Sequence, residues 1–296
     1  MKKLAILMLV LALGLASVCA LAEPTVENIT YASRGVEVPA TLVLPERASE
    51  ISVVVMLHGH GGSRDEYLGF PAVAQALAER GIASLRMDFP GCGESAESFQ
   101  LNCLTNMKDD VAAAIDYLKT NFDVEDIGLF GYSMGGRIAL ELVAEKRVDP
   151  DAMVLLAPAA DTADMKNLFG GDEAWEAMRV EAEAHGHVVF TTIYGQVQEL
   201  SKQWFDDLDI YADCAADAAK VWDEDALVIC GADDEAVNPE TVSRVVAQKL
   251  NAQVFDATGE GHGYGFYTED DDTVRLSVAN ATADFFAKAL DVEDDD

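Results

Sequence analysis

The feature that most limits what this chain can fold into is an alternation of short apolar runs with stretches of helical spacing. Val36 to Leu44 alternates apolar and polar residues, as a half-buried strand does, and is expected to pair with Asn28 to Ser33 across Arg34-Gly35. Ile51 to Leu57 is a continuous, valine-rich run, the pattern of a strand covered on both faces. The spacing then predicts a helix over Glu66 to Arg80 stopped by Gly81, a strand over Ile82 to Met87 and a helix over Thr105 to Asn121. A strand over Ile127 to Phe130, a helix over Met134 to Lys146 and a strand over Met153 to Ala157 follow. Further on come strands over Ala226 to Cys230 and Gln253 to Asp256, with helices over Pro239 to Leu250 and Val274 to Leu290. This order predicts an α/β fold with a mostly parallel central sheet and helices on both faces.

The rhythm breaks once. Almost 70 residues separate the strand ending at Ala157 from the one starting at Ala226, and they carry all three tryptophans, Trp175, Trp204 and Trp222. A structureless loop of that length does not suit a compact domain. Asp161 to about Leu200 therefore reads as a cap inserted after the sixth strand, with an acidic helical part over Asp172 to Ala184, and a helix then rejoins the core. The bland alternative is an extra helical layer that touches no site.

The two ends differ from the rest. Lys2 and Lys3 precede an apolar run from Leu4 to Val18, and Ala20-Leu21-Ala22 supplies small residues around a cleavage point, the order of a secretory signal peptide. Val18, bulky where a small residue is needed, argues against a lipoprotein signal centred on Cys19. The expectation is export to the periplasm or beyond, with residues 1–22 removed, 23–296 forming one domain and no membrane anchor left after cleavage. Two lysines and no acids leave with the signal, so the formal net charge of −33 becomes −35. That charge excludes a nucleic-acid backbone binder, which needs cations to displace counterions. The acid run Asp291 to Asp296 reads as a solvated end. In an oxidising compartment Cys92, Cys103, Cys214 and Cys230 allow three pairings, of which Cys92 with Cys103 is favoured because both fall in one loop-like region. Cys230, inside an apolar run, reads as a buried free thiol.

The chemistry starts at Gly131-Tyr132-Ser133-Met134-Gly135-Gly136, between a strand and a helix. That context turns a common G-x-S-x-G pattern into a nucleophile elbow, in which Gly131 and Gly135 let strand and helix pack closely and Ser133 is held above the sheet. A serine hydroxyl needs a base, and the base needs an orienting acid. His262, in Gly259-Glu260-Gly261-His262-Gly263 after the last strand, is the candidate base; His185 and His187 fall in the cap. The acid belongs in Gly231-Ala232-Asp233-Asp234-Glu235, where three neighbouring carboxylates leave the choice open. The loop His58-Gly59-His60-Gly61-Gly62 follows the strand Ile51 to Leu57, and its glycines let backbone N–H groups turn toward the serine. The N–H groups of His60 and Met134 are the candidate oxyanion donors. A metal-binding His58-x-His60 pair is the alternative for this loop; a phosphate loop is disfavoured because no G-K-[ST] follows.

These four motifs together resemble those of the α/β hydrolases, and the chain order Ser133, Asp234, His262 is that superfamily's order. The spacing Gly231-x-x-Asp234-x-x-Val237 is similar to the usual form of its acid loop and so favours Asp234, with Asp233 the alternative. Gly81 to Phe89 with Gly91 and Gly93-Glu94-Ser95, and Val154 to Ala160 before the insertion, resemble bacterial serine esterases of the feruloyl (cinnamoyl) type. The chain departs from them at His60, where an aromatic residue is common, and at Tyr132 and Met134, where His and Gln are common. Arg86 and Asp88 read as structural polar residues. The resemblance implies two-step hydrolysis of a small-molecule ester through an acyl-enzyme, without metal or organic cofactor. A serine peptidase or acyl-aminoacyl hydrolase on the same fold is the nearer alternative, and a non-catalytic ligand-binding relative the further one. Serine at the elbow rules out a dienelactone-type cysteine nucleophile.

Overall fold

The computed structural model describes residues 23–45, 50–192, 195–257 and 261–292. The expected signal segment 1–22 lies outside them, as do Gly259 and Glu260 of the glycine-rich run and most of the terminal acid run. Eight strands form one sheet: β1 (Thr25–Ser33), β2 (Val36–Leu44), β3 (Ile51–Leu57), β4 (Ala83–Met87), β5 (Val124–Tyr132), β6 (Ala152–Leu156), β9 (Asp225–Gly231) and β10 (Gln253–Ala257). Their order is β1-β2-β4-β3-β5-β6-β9-β10. Only the pairs β1/β2 and β2/β4 are antiparallel; β4, β3, β5, β6, β9 and β10 run parallel. The apolar run of β3 sits near the middle of the sheet with all seven residues buried, as a strand between two helical layers must be.

Helices cover both faces. On one, α1 (Gly69–Ala78) packs with α9 (Thr273–Ala289). On the other lie α2 (Leu104–Asn121), α3 (Met134–Ala144), α7 (Cys214–Ala218) and α8 (Arg244–Leu250). Two helix starts differ from the sequence expectation. α1 begins at Gly69 instead of Glu66 because Glu66 and Tyr67 both take positive φ, 39° and 57°. The helix expected from Pro239 divides into a wide five-residue turn, Pro239–Ser243, and then α8; Asn238 Oδ1 caps the turn by accepting from the N–H groups of Glu240 and Thr241.

The segment between β6 and β9 contains α4 (Thr162–Leu168), α5 (Asp172–His185), a hairpin of β7 (His187–Thr191) and β8 (Val197–Ser201), and α6 (Lys202–Ile210). The acidic helix is as the spacing predicts; the hairpin is an addition. Trp175 and Trp204 are buried here with Phe169 and Phe205, ring centroids 5.0–5.6 Å apart. The base of the segment is tied to α3 by Arg137, fully buried. Its guanidinium donates to the carbonyls of Leu208 and Tyr211 and to Thr162 Oγ1, and pairs with Glu141 at 2.8 Å.

The expected Cys92–Cys103 bridge is not formed: among the described residues all four cysteines are free and buried. Cys92 Sγ faces Asn102 Nδ2 at 3.5 Å, whereas Cys103 precedes α2 with its thiol toward Asp207, so the two serve different neighbours. Burial pushes the thiols of Cys92 and Cys214 up to about 12 and those of Cys103 and Cys230 up to about 11.

Candidate active site

The parallel strands deliver their loops to one end of the sheet. Strand β5 ends at Tyr132 and α3 begins at Met134, leaving Ser133 alone in the turn with φ 53° and ψ −114°. A non-glycine residue in that region is strained and persists only where its surroundings over-determine it. They do so here. The Ser133 N–H donates to Leu156 O at 2.9 Å, and Ser133 O accepts from Gly136 and Ala159 N–H at 3.0 Å each. A Cβ on Gly135 would meet Leu57 O at 1.9 Å, so the helix can approach β3 only with glycine there.

His262 Nε2 lies 3.0 Å from Ser133 Oγ, and His262 Nδ1 lies 2.9 Å from Asp234 Oδ2. The structure thus brings Asp234, not Asp233, to the imidazole: Asp234 is buried at 3% exposure, while Asp233 faces solvent. Asp234 Oδ1 accepts from the N–H groups of Ala236 and Val237 at 2.9 and 2.8 Å, and Oδ2 also accepts from Tyr264 Oη at 3.0 Å. Burial raises the Asp234 pKa, but the hydrogen bond and charge of His262, with the Val237 N–H and Tyr264, outweigh it and hold the carboxyl below its ordinary value. Because Asp234 is acceptor-only, His262 Nδ1 carries the proton and Nε2 keeps a lone pair toward the serine hydroxyl.

Three supports of this constellation had no clear signal in the sequence. Tyr264 accepts from the Gly231 N–H at 2.8 Å while donating to Asp234, which links the acid loop to the histidine loop. Tyr132, next to the serine, donates to His262 O at 2.6 Å. Glu66, buried before α1, accepts from the Gly59 N–H at 2.7 Å.

The loop after β3 separates its two histidines. His58 Nδ1 donates to Gly59 O at 2.8 Å and Nε2 accepts from the Phe89 N–H at 3.1 Å, so both ring nitrogens serve the backbone. Burial pushes His58 down to about 4, as it does His60. No group of three or more His, Cys, Asp or Glu side chains that could hold a metal ion occurs among the described residues. The His60 ring packs against Phe99, Phe169 and Trp204, so the inserted segment rests on this loop and is not a remote layer. A hydrogen-bond chain joins the two: His60 Nε2 to Gln198 Oε1 (2.8 Å), Gln198 Nε2 to Gln196 Oε1 (3.0 Å) and Gln196 Nε2 to Gly61 O (2.8 Å). The backbone N–H groups of His60 and Met134 form no hydrogen bond among the described residues; His60 lies in the loop after β3, the sheet neighbour of β5, and Met134 opens α3 directly after Ser133. Arg86 and Asp88 are structural. Asp88 accepts from the N–H groups of Arg64 and Glu94, and Arg86 pairs with Asp65 at 3.2 Å.

A doubly wound sheet with a strained serine turn after β5, an acid after β9 and a histidine after β10 is the arrangement of the α/β-hydrolase fold. Residues 48–191 match the family model of the serine aminopeptidases, S33. Est1E from Butyrivibrio proteoclasticus, solved with ferulic acid bound, superposes with a TM-score of 0.73 at 22% identity, over 89% of this chain and 99% of that one. Among curated proteins, esterase EstD of Thermotoga maritima is 28% identical over 127 residues, 41% of this chain and 30% of EstD. The dihydrolipoyllysine-residue acetyltransferase component of the acetoin cleaving system of Pseudomonas putida is 33% identical over 120 residues, 40% of this chain and 30% of that protein. The chain thus spans under a third of the length of these two curated relatives.

Proposed function

We propose that the protein is an exported serine carboxylesterase. The observation that carries this reading is the Ser133–His262–Asp234 relay, with contacts of 3.0 and 2.9 Å. His262 takes the Ser133 proton as the hydroxyl attacks the ester carbonyl, and Asp234 stabilises the imidazolium. The oxyanion that develops on the carbonyl oxygen is received by the N–H groups of His60 and Met134. Each such donor is worth about 3 kcal/mol of barrier. Met134 adds the positive end of the α3 dipole. His262 then gives the proton to the leaving alcohol, and water repeats the sequence to free the acid. Ser133→Ala is expected to abolish p-nitrophenyl acetate hydrolysis in a folded protein; turnover retained in that variant refutes the assignment.

For the acyl group we favour an aromatic acid of the hydroxycinnamate kind. His60 and Phe99, both partly exposed, offer ring faces beside one oxyanion donor and are backed by the buried Phe169 and Trp204, and the ferulate-bound Est1E shares the fold. A peptidase or acyl-aminoacyl hydrolase is the second reading, favoured by the description of the S33 family model. Turnover of methyl ferulate, short p-nitrophenyl esters and aminoacyl-naphthylamides separates the two. Export rests on residues 1–22, and N-terminal mass spectrometry of secreted material beginning at Glu23 would support it.

A further inference from the structure

Glu66 is a buried carboxyl that the mechanism above does not use. One oxygen accepts from the Gly59 N–H at 2.7 Å and the other from the Tyr267 hydroxyl. Gly59 belongs to the loop that presents the His60 N–H, and Tyr267 closes the segment that begins at His262. The carboxylate lies directly under the glycine loop: a Cβ on Gly62 would meet Glu66 Oε1 at 2.2 Å. Its own backbone pays conformationally for the position, since Glu66 and Tyr67 both hold positive φ. A second tie runs alongside, from the Leu68 N–H to Phe266 O at 3.2 Å. Burial pushes Glu66 up to about 7, while the Tyr267 and Gly59 bonds and the charge of His262 pull the other way. The carboxyl sits between the two loops whose separation sets the distance from oxyanion donor to base.

We infer that Glu66 is a positioning residue, a two-handed clamp that fixes the His58–Gly62 loop relative to the His262 loop. The inference rests on the esterase reading, because it gives the His60 N–H a role at the oxyanion. Acylation and deacylation both pass through an oxyanion, so misplacing that N–H lowers kcat whichever step limits, and leaves substrate binding nearly alone.

The test uses the full chain with Glu66→Leu, Glu66→Gln and Tyr267→Phe. Active sites are counted by a fluorophosphonate that labels Ser133, and p-nitrophenyl acetate turnover is expressed per labelled site. Glu66→Leu is expected to lose about tenfold or more in kcat with KM within about twofold. Glu66→Gln, whose amide can accept from Gly59 and donate to Tyr267, is expected to recover most of that loss. A purely structural role would lower stability and leave kcat per labelled site unchanged. Glu66→Leu with wild-type kcat per site overturns the inference and leaves the esterase reading intact. If Glu66→Leu does not fold, Tyr267→Phe removes one hand of the clamp: a lower kcat at constant KM supports the inference, and an unchanged kcat overturns it. A wild-type chain that neither labels nor turns over overturns the esterase reading and this inference with it.

Discussion

At the scale of single residues, the site is held by groups whose ionisation is set by their surroundings. Asp234 is kept below its ordinary pKa, so its contribution to stability is present above the ordinary aspartate range and is lost as pH falls through the folded value. Asp234→Asn is expected to leave the protein folded and to cost about three to four orders of magnitude in kcat, because the amide favours the wrong histidine tautomer; a stopped-flow assay of the purified variant checks this. Glu66 has the opposite sign. Its pKa is raised to about 7, so folding is favoured while it is protonated, and stability falls as pH rises from its unfolded value toward 7. Glu66→Gln lacks that penalty. Thermal melts should show its advantage over wild type growing between about pH 4.5 and pH 7 and then levelling, on the order of 3 kcal/mol at most. Equal melting curves across that range contradict the shift. Ser133 and His262 are legible in the sequence because a strand–serine–helix turn and a glycine-flanked histidine are local patterns. The preference for Asp234 over Asp233 needed the resemblance of its loop to others, since the two carboxylates are adjacent and chemically alike. Glu66, Tyr132 and Tyr264 are illegible because each acts on a loop distant in sequence, Tyr264 reaching back 33 residues to Gly231.

At the scale of elements, the sheet was readable because its strands are buried runs, and a run such as β3 leaves no alternative to a central position. Helix starts were less so. Apolar spacing from Glu66 onward continues the α1 pattern, and the long-range ties of Glu66 to Gly59 and Tyr267 and of the Leu68 N–H to Phe266 O draw the first three residues away from it. The β7–β8 hairpin was missed for a related reason: each strand has only five residues, and one face is exposed at Val189 and Val197 instead of following an apolar–polar alternation. Arg137 belongs to this scale because it joins α3 to the inserted segment. Arg137→Met leaves Glu141 buried with Lys108 as its remaining cation and strips the carbonyls of Leu208 and Tyr211 of their donor. Urea denaturation is expected to register a loss of about 3–5 kcal/mol.

At the scale of the whole molecule, 53 acids against 20 Lys and Arg impose self-repulsion that salt relieves. The melting temperature is expected to rise between about 0.01 M and about 0.15 M NaCl, where the Debye length falls from about 30 Å to about 8 Å; a flat or falling curve would show that local ion pairs dominate instead. The four free thiols set a second expectation. A thiol-reactive disulfide reagent should find almost none of them in the native protein and all four in denatured material lacking residues 1–22, whatever the redox state outside. The hydrogen-bond chain from Gly61 through Gln196 and Gln198 to His60 bears on how such an enzyme can be re-engineered. Transplanting another hydrolase's insertion in place of residues 162–210 exchanges more than the walls around a substrate, because the departing hairpin takes with it the amides that brace the catalytic loop. A chimera with new specificity therefore has to bring equivalents of both glutamines, or recover its turnover by compensating changes at position 60.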